Sequence, residues 1–146
     1  AQFTVWQEGP HAKAFEMLGT PAAKEAAEKA GVGDPQKAGE CLQCHTTAYG
    51  VDASMLATGF EPAKEGIGCE TCHGPGSLYR KASVMNAKKY QEDPEGTLAQ
   101  WKELGLIEPD GNLCITCHNE KNPFHKPFNF EEFSAKIAHP NPNIKK

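Results

Sequence analysis

Gly66-Ile-Gly-Cys69-Glu-Thr-Cys72-His73-Gly-Pro-Gly76 decides how this chain folds, because its Cys-x-x-Cys-His centre recurs as Cys41-Leu-Gln-Cys44-His45 and Cys114-Ile-Thr-Cys117-His118. All six cysteines fall in these three pairs, and histidine follows each pair at once. Cys-x-x-Cys-His is the attachment sequence of c-type haem. Two thiols three residues apart on a helical turn reach the two vinyl groups on one edge of a porphyrin, and the next residue sets an imidazole under the iron. Other cysteine chemistry fits less well. Tetrahedral zinc uses pairs two at a time, which leaves one of three without a mate. A thioredoxin-like dithiol occurs once, beside a strand-helix unit that is not evident here, and three disulfides give no reason for the trailing histidines. The expected cofactors are therefore three covalently bound haem c groups. Cys41, Cys44, Cys69, Cys72, Cys114 and Cys117 attach them, and His45, His73 and His118 serve as proximal iron ligands.

Composition points the same way. The chain has 146 residues, and Leu, Ile, Val and Phe together number 24, a share low enough to resemble disordered proteins. A chain this poor in large apolar side chains folds only if something else fills its interior, and three flat apolar macrocycles do so. The haem-free polypeptide is accordingly expected to be largely unfolded. Length fits a single domain, residues 1–146. The net charge of −4 argues against a nucleic-acid partner, and no run approaches the ~18 apolar residues of a membrane helix. The chain opens at Ala1 with no charged and apolar leader, as an exported protein does after signal cleavage and as a cytosolic chain also does. Haem is attached outside the cytoplasmic membrane in bacteria, so the motifs themselves imply a periplasmic or extracellular location.

Start and stop signals predict a mostly α fold, with short helices and loops wrapped around the haems. A helix is expected to start near Pro10 and stop at Gly19, with His11, Phe15 and Leu18 on one face. Pro21 opens an Ala-rich helix that ends at Gly31, Asp34-Pro35 leads into the first motif, and 46–68 is irregular with a small hairpin. Ser77 is expected to cap a helix towards Tyr90, Asp93-Pro94 to open one through Leu104, and Asn129 to cap Phe130–Ile137, with Pro140 stopping it.

With the motifs placed, the chain resembles the cytochrome c-554 family, tetrahaem carriers that accept electrons from hydroxylamine oxidoreductase. The likeness rests on Trp6 and His11-Ala-Lys-Ala, on the first motif with Tyr49-Gly50, on Gly66 to Gly76 as quoted, and on Phe128-Asn-Phe-Glu-Glu-Phe. The family's first haem motif lies upstream of the Trp and His segment and this chain begins without it, so the resemblance implies a trihaem form. It also implies a distal histidine soon after Cys-His-Gly-Pro-Gly, yet 77–112 contains no histidine.

Beyond the proximal set stand His11, His125 and His139, the candidate distal ligands. Resemblance makes His11 the distal ligand of the haem held by His73. His139 resembles the ligand of the absent haem, leaving it another iron, a neighbouring subunit or no such role. His125 has no family counterpart and reads equally as a surface histidine. In the family the haem matching Cys41, Cys44 and His45 lacks a strong sixth ligand; here His125, His139, Met55 or Met85 are the alternatives to an open iron.

Three functions follow. The leading one is electron transfer, a relay of single electrons between a protein donor and acceptor with no substrate chemistry. The second is an enzyme acting on nitric oxide, hydroxylamine or a similar small molecule at an open haem. The third is self-assembly into a polymeric conductor through a histidine donated between subunits.

Overall fold

The computed structural model describes residues 2–139, and among them there is no β-strand. Helices α1 (Gln2–Glu8), α2 (Ala14–Met17) and α3 (Pro21–Lys29) form the N-terminal segment. The first motif lies on α4 (Gly39–His45), α5 (Pro62–Glu65) follows, and the second motif is α6 (Cys69–His73). Then come α7 (Ala87–Glu92), α8 (Pro94–Glu103), α9 (Gly111–Cys114) and α10 (Phe130–Ile137). No helix among the described residues is long and apolar enough to cross a membrane.

Helix ends follow local chemistry. Thr20 caps α3 by accepting from the Ala23 N–H at 3.3 Å, and Pro21 fills its first turn, where a missing N–H costs nothing. Gly31, at φ +69°, ends it, with the Val32 N–H bonding back to the Ala27 carbonyl at 3.0 Å, a Schellman closure. Asp93 closes α7 and caps α8 through Gly96 N–H at 3.0 Å, and Asn129 caps α10 through Glu132 N–H at 3.0 Å. These expectations hold; Pro140 lies outside the described residues.

Three expectations fail. The helix placed from Pro10 is instead α1, a 3-10 turn at His11–Lys13 and α2. The chain turns at Gly9, whose N–H bonds Trp6 O at 2.9 Å, and Pro10 restricts the residue before it. No hairpin forms in 46–68, where two turns of helix stand instead. Ser77 caps nothing. Residues 76–79 are a turn, and Asn86 caps the later helix by accepting from the Lys88 and Lys89 N–H groups at 2.9 and 3.2 Å.

Apolar packing is sparse. Among the described residues the buried hydrophobic side chains are Ala14, Leu18, Ala27, Ile67, Tyr79 and Trp101, while Phe3, Tyr49, Leu78, Ile107, Ile115 and Phe124 are among the large apolar ones left exposed. The polypeptide presents 10389 Å² of surface, against about 7,300 Å² expected of a compact protein of this mass. The described side chains thus fill little of the interior by themselves.

What does hold is a set of long-range backbone clamps. Trp6 Nε1 donates to Ile67 O at 2.8 Å, and the Ile67 N–H donates to His11 O at 2.9 Å. Thr47, only 4% exposed, donates its hydroxyl to Gly66 O at 2.9 Å while accepting from Gly68 N–H at 2.6 Å and the Thr71 hydroxyl at 3.1 Å. The start of α6 is therefore pinned between α1 and the turn after the first motif. Behind α6, Tyr79 donates to His73 O at 2.8 Å, and Trp101 stacks on Tyr90 at 5.4 Å while its indole N–H reaches Val84 O at 3.0 Å.

Candidate haem centre

Each motif is carried on a helical turn, which puts its two cysteines and its histidine on neighbouring positions of one face. In the third, α9 is capped by Asp110 accepting from Leu113 N–H at 2.9 Å, and the turn carries on through the His118 N–H bond to Cys114 O at 2.9 Å. Asn119 closes it by donating to the carbonyls of Ile115 and Thr116, both at 2.9 Å.

The string around the second motif has a reason at each position. Gly66, at φ +56°, lies so close to the backbone of α1's successor turn that a Cβ would stand 2.7 Å from His11 O and Ala12 O. Gly74, at φ +74°, would meet Gly105 O. Glu70 accepts from the Gly76 N–H at 2.8 Å and so ties the Gly-Pro-Gly turn to the motif helix.

All six thiols are free of disulfides, and Cys44, Cys72, Cys114 and Cys117 bring the three motifs near one another. The Cys44 and Cys117 thiols hydrogen-bond one another; burial first, then that neighbour, pushes Cys44 up to about 11. Cys72 is raised by burial and next by Cys114 and Cys117. Protonated thiols are poor metal ligands. Among the described residues no three His, Cys, Asp or Glu side chains meet closely enough to hold a bare metal ion.

Imidazoles meet in twos instead. His11 and His118 face each other at 6.0 Å between ring centroids with planes at 65°, and His73 and His139 do so at 5.8 Å and 63°. Burial is the main cause that lowers His11, His73 and His118 below the ordinary histidine range, so each ring is held neutral and able to bind a metal. His73 Nδ1 lies 3.4 Å from Ile107 O, and His45 Nδ1 lies 2.6 Å from Ala14 O; a proton on Nδ1, donated to the carbonyl, leaves Nε2 as the ligating nitrogen. Phe128 stacks on His118 at 5.1 Å with Phe133 behind it. A group that brings its own four equatorial donors and asks the protein for axial imidazoles and thioether anchors fits this donor set, and a naked ion does not.

Residues 1–74 match the family described as cytochrome c554 and c-prime. The chain belongs to that family. Over 125 residues it is 31% identical to cytochrome c-554 of Nitrosomonas europaea, an overlap of 81% of this chain and 52% of that one. It thus spans about half the length of this curated relative. The reduced-state structure of cytochrome c554 from the same organism superposes with a TM-score of 0.57 at 26% identity, covering 96% of this chain and 73% of the other. As in other members of the cytochrome c554 family, the implied cofactor is covalently attached haem c, and the helical fold expected from sequence is the family's fold.

His11 faces His118, while the Trp6–Ile67 bond ties the segment before α2 to the start of the second motif. His139 lies against His73 of its own chain. His125 is exposed and meets no other imidazole ring; it lies within electrostatic reach of His118, which it helps to lower. Met55, 78% exposed, and Met85 point to solvent. Sequence reasoning missed Thr47, Phe128 and Phe133. Only the Phe128-Asn-Phe-Glu-Glu-Phe string signalled the two aromatic residues, and nothing singled out the threonine.

Proposed function

We propose that residues 1–146 form a single trihaem c-type cytochrome domain that passes single electrons between a protein donor and a protein acceptor outside the cytoplasmic membrane. The observation that carries this reading is the convergence of the three motifs: Cys44 touches Cys117, and Cys72 feels both Cys114 and Cys117. Attachment points this close would hold three macrocycles within short electron-transfer distance. Bound haem supplies one-electron iron chemistry, while potentials are set by axial ligand, burial and hydrogen bonding. In this role Cys41, Cys44, Cys69, Cys72, Cys114 and Cys117 anchor the groups. His45, His73 and His118 ligate from the proximal side, with Ala14 O and Ile107 O orienting two of those rings. The exposed apolar side chains around the motifs become covered and exclude water. A reductive titration of the holoprotein tests the reading: three electron equivalents per chain, taken up reversibly, are expected, and one or two would contradict it.

One observation favours a second activity at the same centre. Among the described residues no imidazole faces His45, whereas His73 and His118 each have one. A haem held by His45 would meet no second imidazole from the described residues, and this favours a side open to a small uncharged ligand such as nitric oxide. Nitric oxide titration of the reduced protein should give one binding equivalent per chain; none would leave the relay alone.

A further inference from the structure

Positive charge is concentrated in one stretch of this acidic chain. Residues 76–91 hold four of its 15 lysines and arginines, Arg80, Lys81, Lys88 and Lys89, and none of its 19 aspartates and glutamates, so the remainder carries −8. All four side chains are exposed. Among the described residues Arg80, Lys81 and Lys89 form no ion pair, and Lys88 reaches only Glu92, at 3.8 Å with both side chains largely in solvent. An exposed pair of this kind is weak. Two apolar side chains stand bare among the cations, Leu78 at 54% and Met85 at 39% exposure. The inner side of the stretch is fastened down. Tyr79 is buried and donates to His73 O at 2.8 Å, the Trp101 indole N–H holds Val84 O at 3.0 Å, and the Thr97 hydroxyl holds Lys89 O at 3.2 Å. The Arg80 N–H bonds Gly76 O at 2.9 Å and the Met85 N–H bonds Lys81 O at 2.8 Å, closing two successive turns. The cations therefore stand on a fixed backbone that is one hydrogen bond away from the histidine of the second motif.

We propose that residues 78–89 are the surface on which an acidic one-electron carrier protein docks beside the second motif. The proposal rests on the electron-transfer reading above and names the partner's chemistry. Opposite charges steer the encounter, and the −8 carried by the rest of the chain turns an anionic partner away from other approaches, so attraction and repulsion select one orientation together. Leu78 and Met85 supply the apolar contact found at the centre of protein interfaces, where methionine is enriched and lysine is not. Tyr79 joins this surface to His73, a short route from the contact to an imidazole beneath an iron. An anionic bilayer is the poorer occupant, because it presents a broad negative plane to a chain whose remaining surface is acidic. In the docked complex one electron leaves the carrier, one ferric haem becomes ferrous, and no atom or proton is transferred.

The test mixes ferric holoprotein with flavodoxin hydroquinone, an acidic one-electron donor whose flavin anion becomes the neutral semiquinone. The variant R80E/K81E should be reduced about tenfold more slowly than the parent at about 10 mM ionic strength, with the difference gone near about 0.5 M. K121E/K126E changes net charge equally at two other exposed lysines without ion pairs, and should slow by less than about twofold. Equal slowing of the two variants overturns the proposal, because net charge and not place is then the cause; an unchanged rate in R80E/K81E overturns it as well. Photoreduced lumiflavin, a neutral donor, should reduce all three proteins alike, and failure to reduce any of them refutes the haem relay and not the docking surface alone. Carbodiimide cross-linking gives a second measurement, joining partner carboxylates to lysine amines with loss of water. Peptide masses should place the new amides on Lys81, Lys88 and Lys89, and links confined to other lysines overturn the assignment. Phosphatidylserine vesicles should leave the parent protein unbound on flotation; binding that disappears in R80E/K81E would assign the stretch to a membrane instead.

Discussion

Replacing Thr47 by valine keeps the shape of the side chain and removes its hydroxyl. In the native fold that hydroxyl serves Gly66 O at 2.9 Å and Gly68 N–H at 2.6 Å, both on buried residues, and receives the Thr71 hydroxyl at 3.1 Å. Thr71 can turn elsewhere, but the two backbone groups cannot reach water. Leaving a buried polar group unpaired costs about 1–3 kcal/mol, so T47V should lose about 3 kcal/mol. With a guanidinium slope of about 4 kcal/mol per molar for a chain of this size, the unfolding midpoint should fall by about 0.7 M. T47S keeps the hydroxyl and loses one methyl, worth about 1 kcal/mol. The assay is guanidinium unfolding of the ferric holoprotein followed by circular dichroism and the Soret band together, since covalent attachment keeps haem on the unfolded chain. Equal midpoints for T47V and T47S would refute the clamp, because hydroxyl loss is then not what matters. A midpoint shift in T47V without loss of low-spin character would show that the clamp supports the chain and not the iron ligands.

Other outcomes follow from single residues. G66A forces alanine into φ +56° with its Cβ 2.7 Å from two carbonyl oxygens, and should cost more than the ~1–2 kcal/mol of left-handed backbone alone, read as a lowered Tm; an unchanged Tm contradicts it. F128A removes the ring stacked on His118, worth about 0.5–1.5 kcal/mol beyond area, and should broaden the ferric signal of a haem at the third motif while sparing one at the second. Asp110 is held below its ordinary value of 3.8 chiefly by the Leu113 N–H; the folded state therefore gains from its ionised form above that value and loses the gain as pH falls through the lowered pKa. D110A should then be less stable than the parent near neutrality, with the gap closing in strong acid, and a gap independent of pH would count against the cap. Chain produced without haem should show no cooperative thermal transition, since its few buried apolar residues cannot offset chain entropy.

The parts of the fold legible in sequence are those decided within a few residues. Thr20-Pro21 with Gly31, Asp93-Pro94 and Asn129 are caps whose partners lie one turn away, and the three Cys-x-x-Cys-His turns are read the same way. Which histidine faces which was not legible: His11 and His118 lie 107 positions apart in the chain and meet at 6.0 Å only in the fold. The misplaced cap at Ser77 has a similar cause, since Glu70 and Tyr79 hold the Gly-Pro-Gly turn and leave no helix start there. Thr47 carried no signal at all, because a hydroxyl that bridges two backbone segments looks like any other threonine.

Intact mass of the purified protein under denaturing conditions tests the central claim most directly. The account predicts the chain plus three haem groups, none released by acid and organic solvent, with all six cysteines closed to alkylation. Chain mass alone with six free thiols, or a bound metal that departs on unfolding, would contradict it.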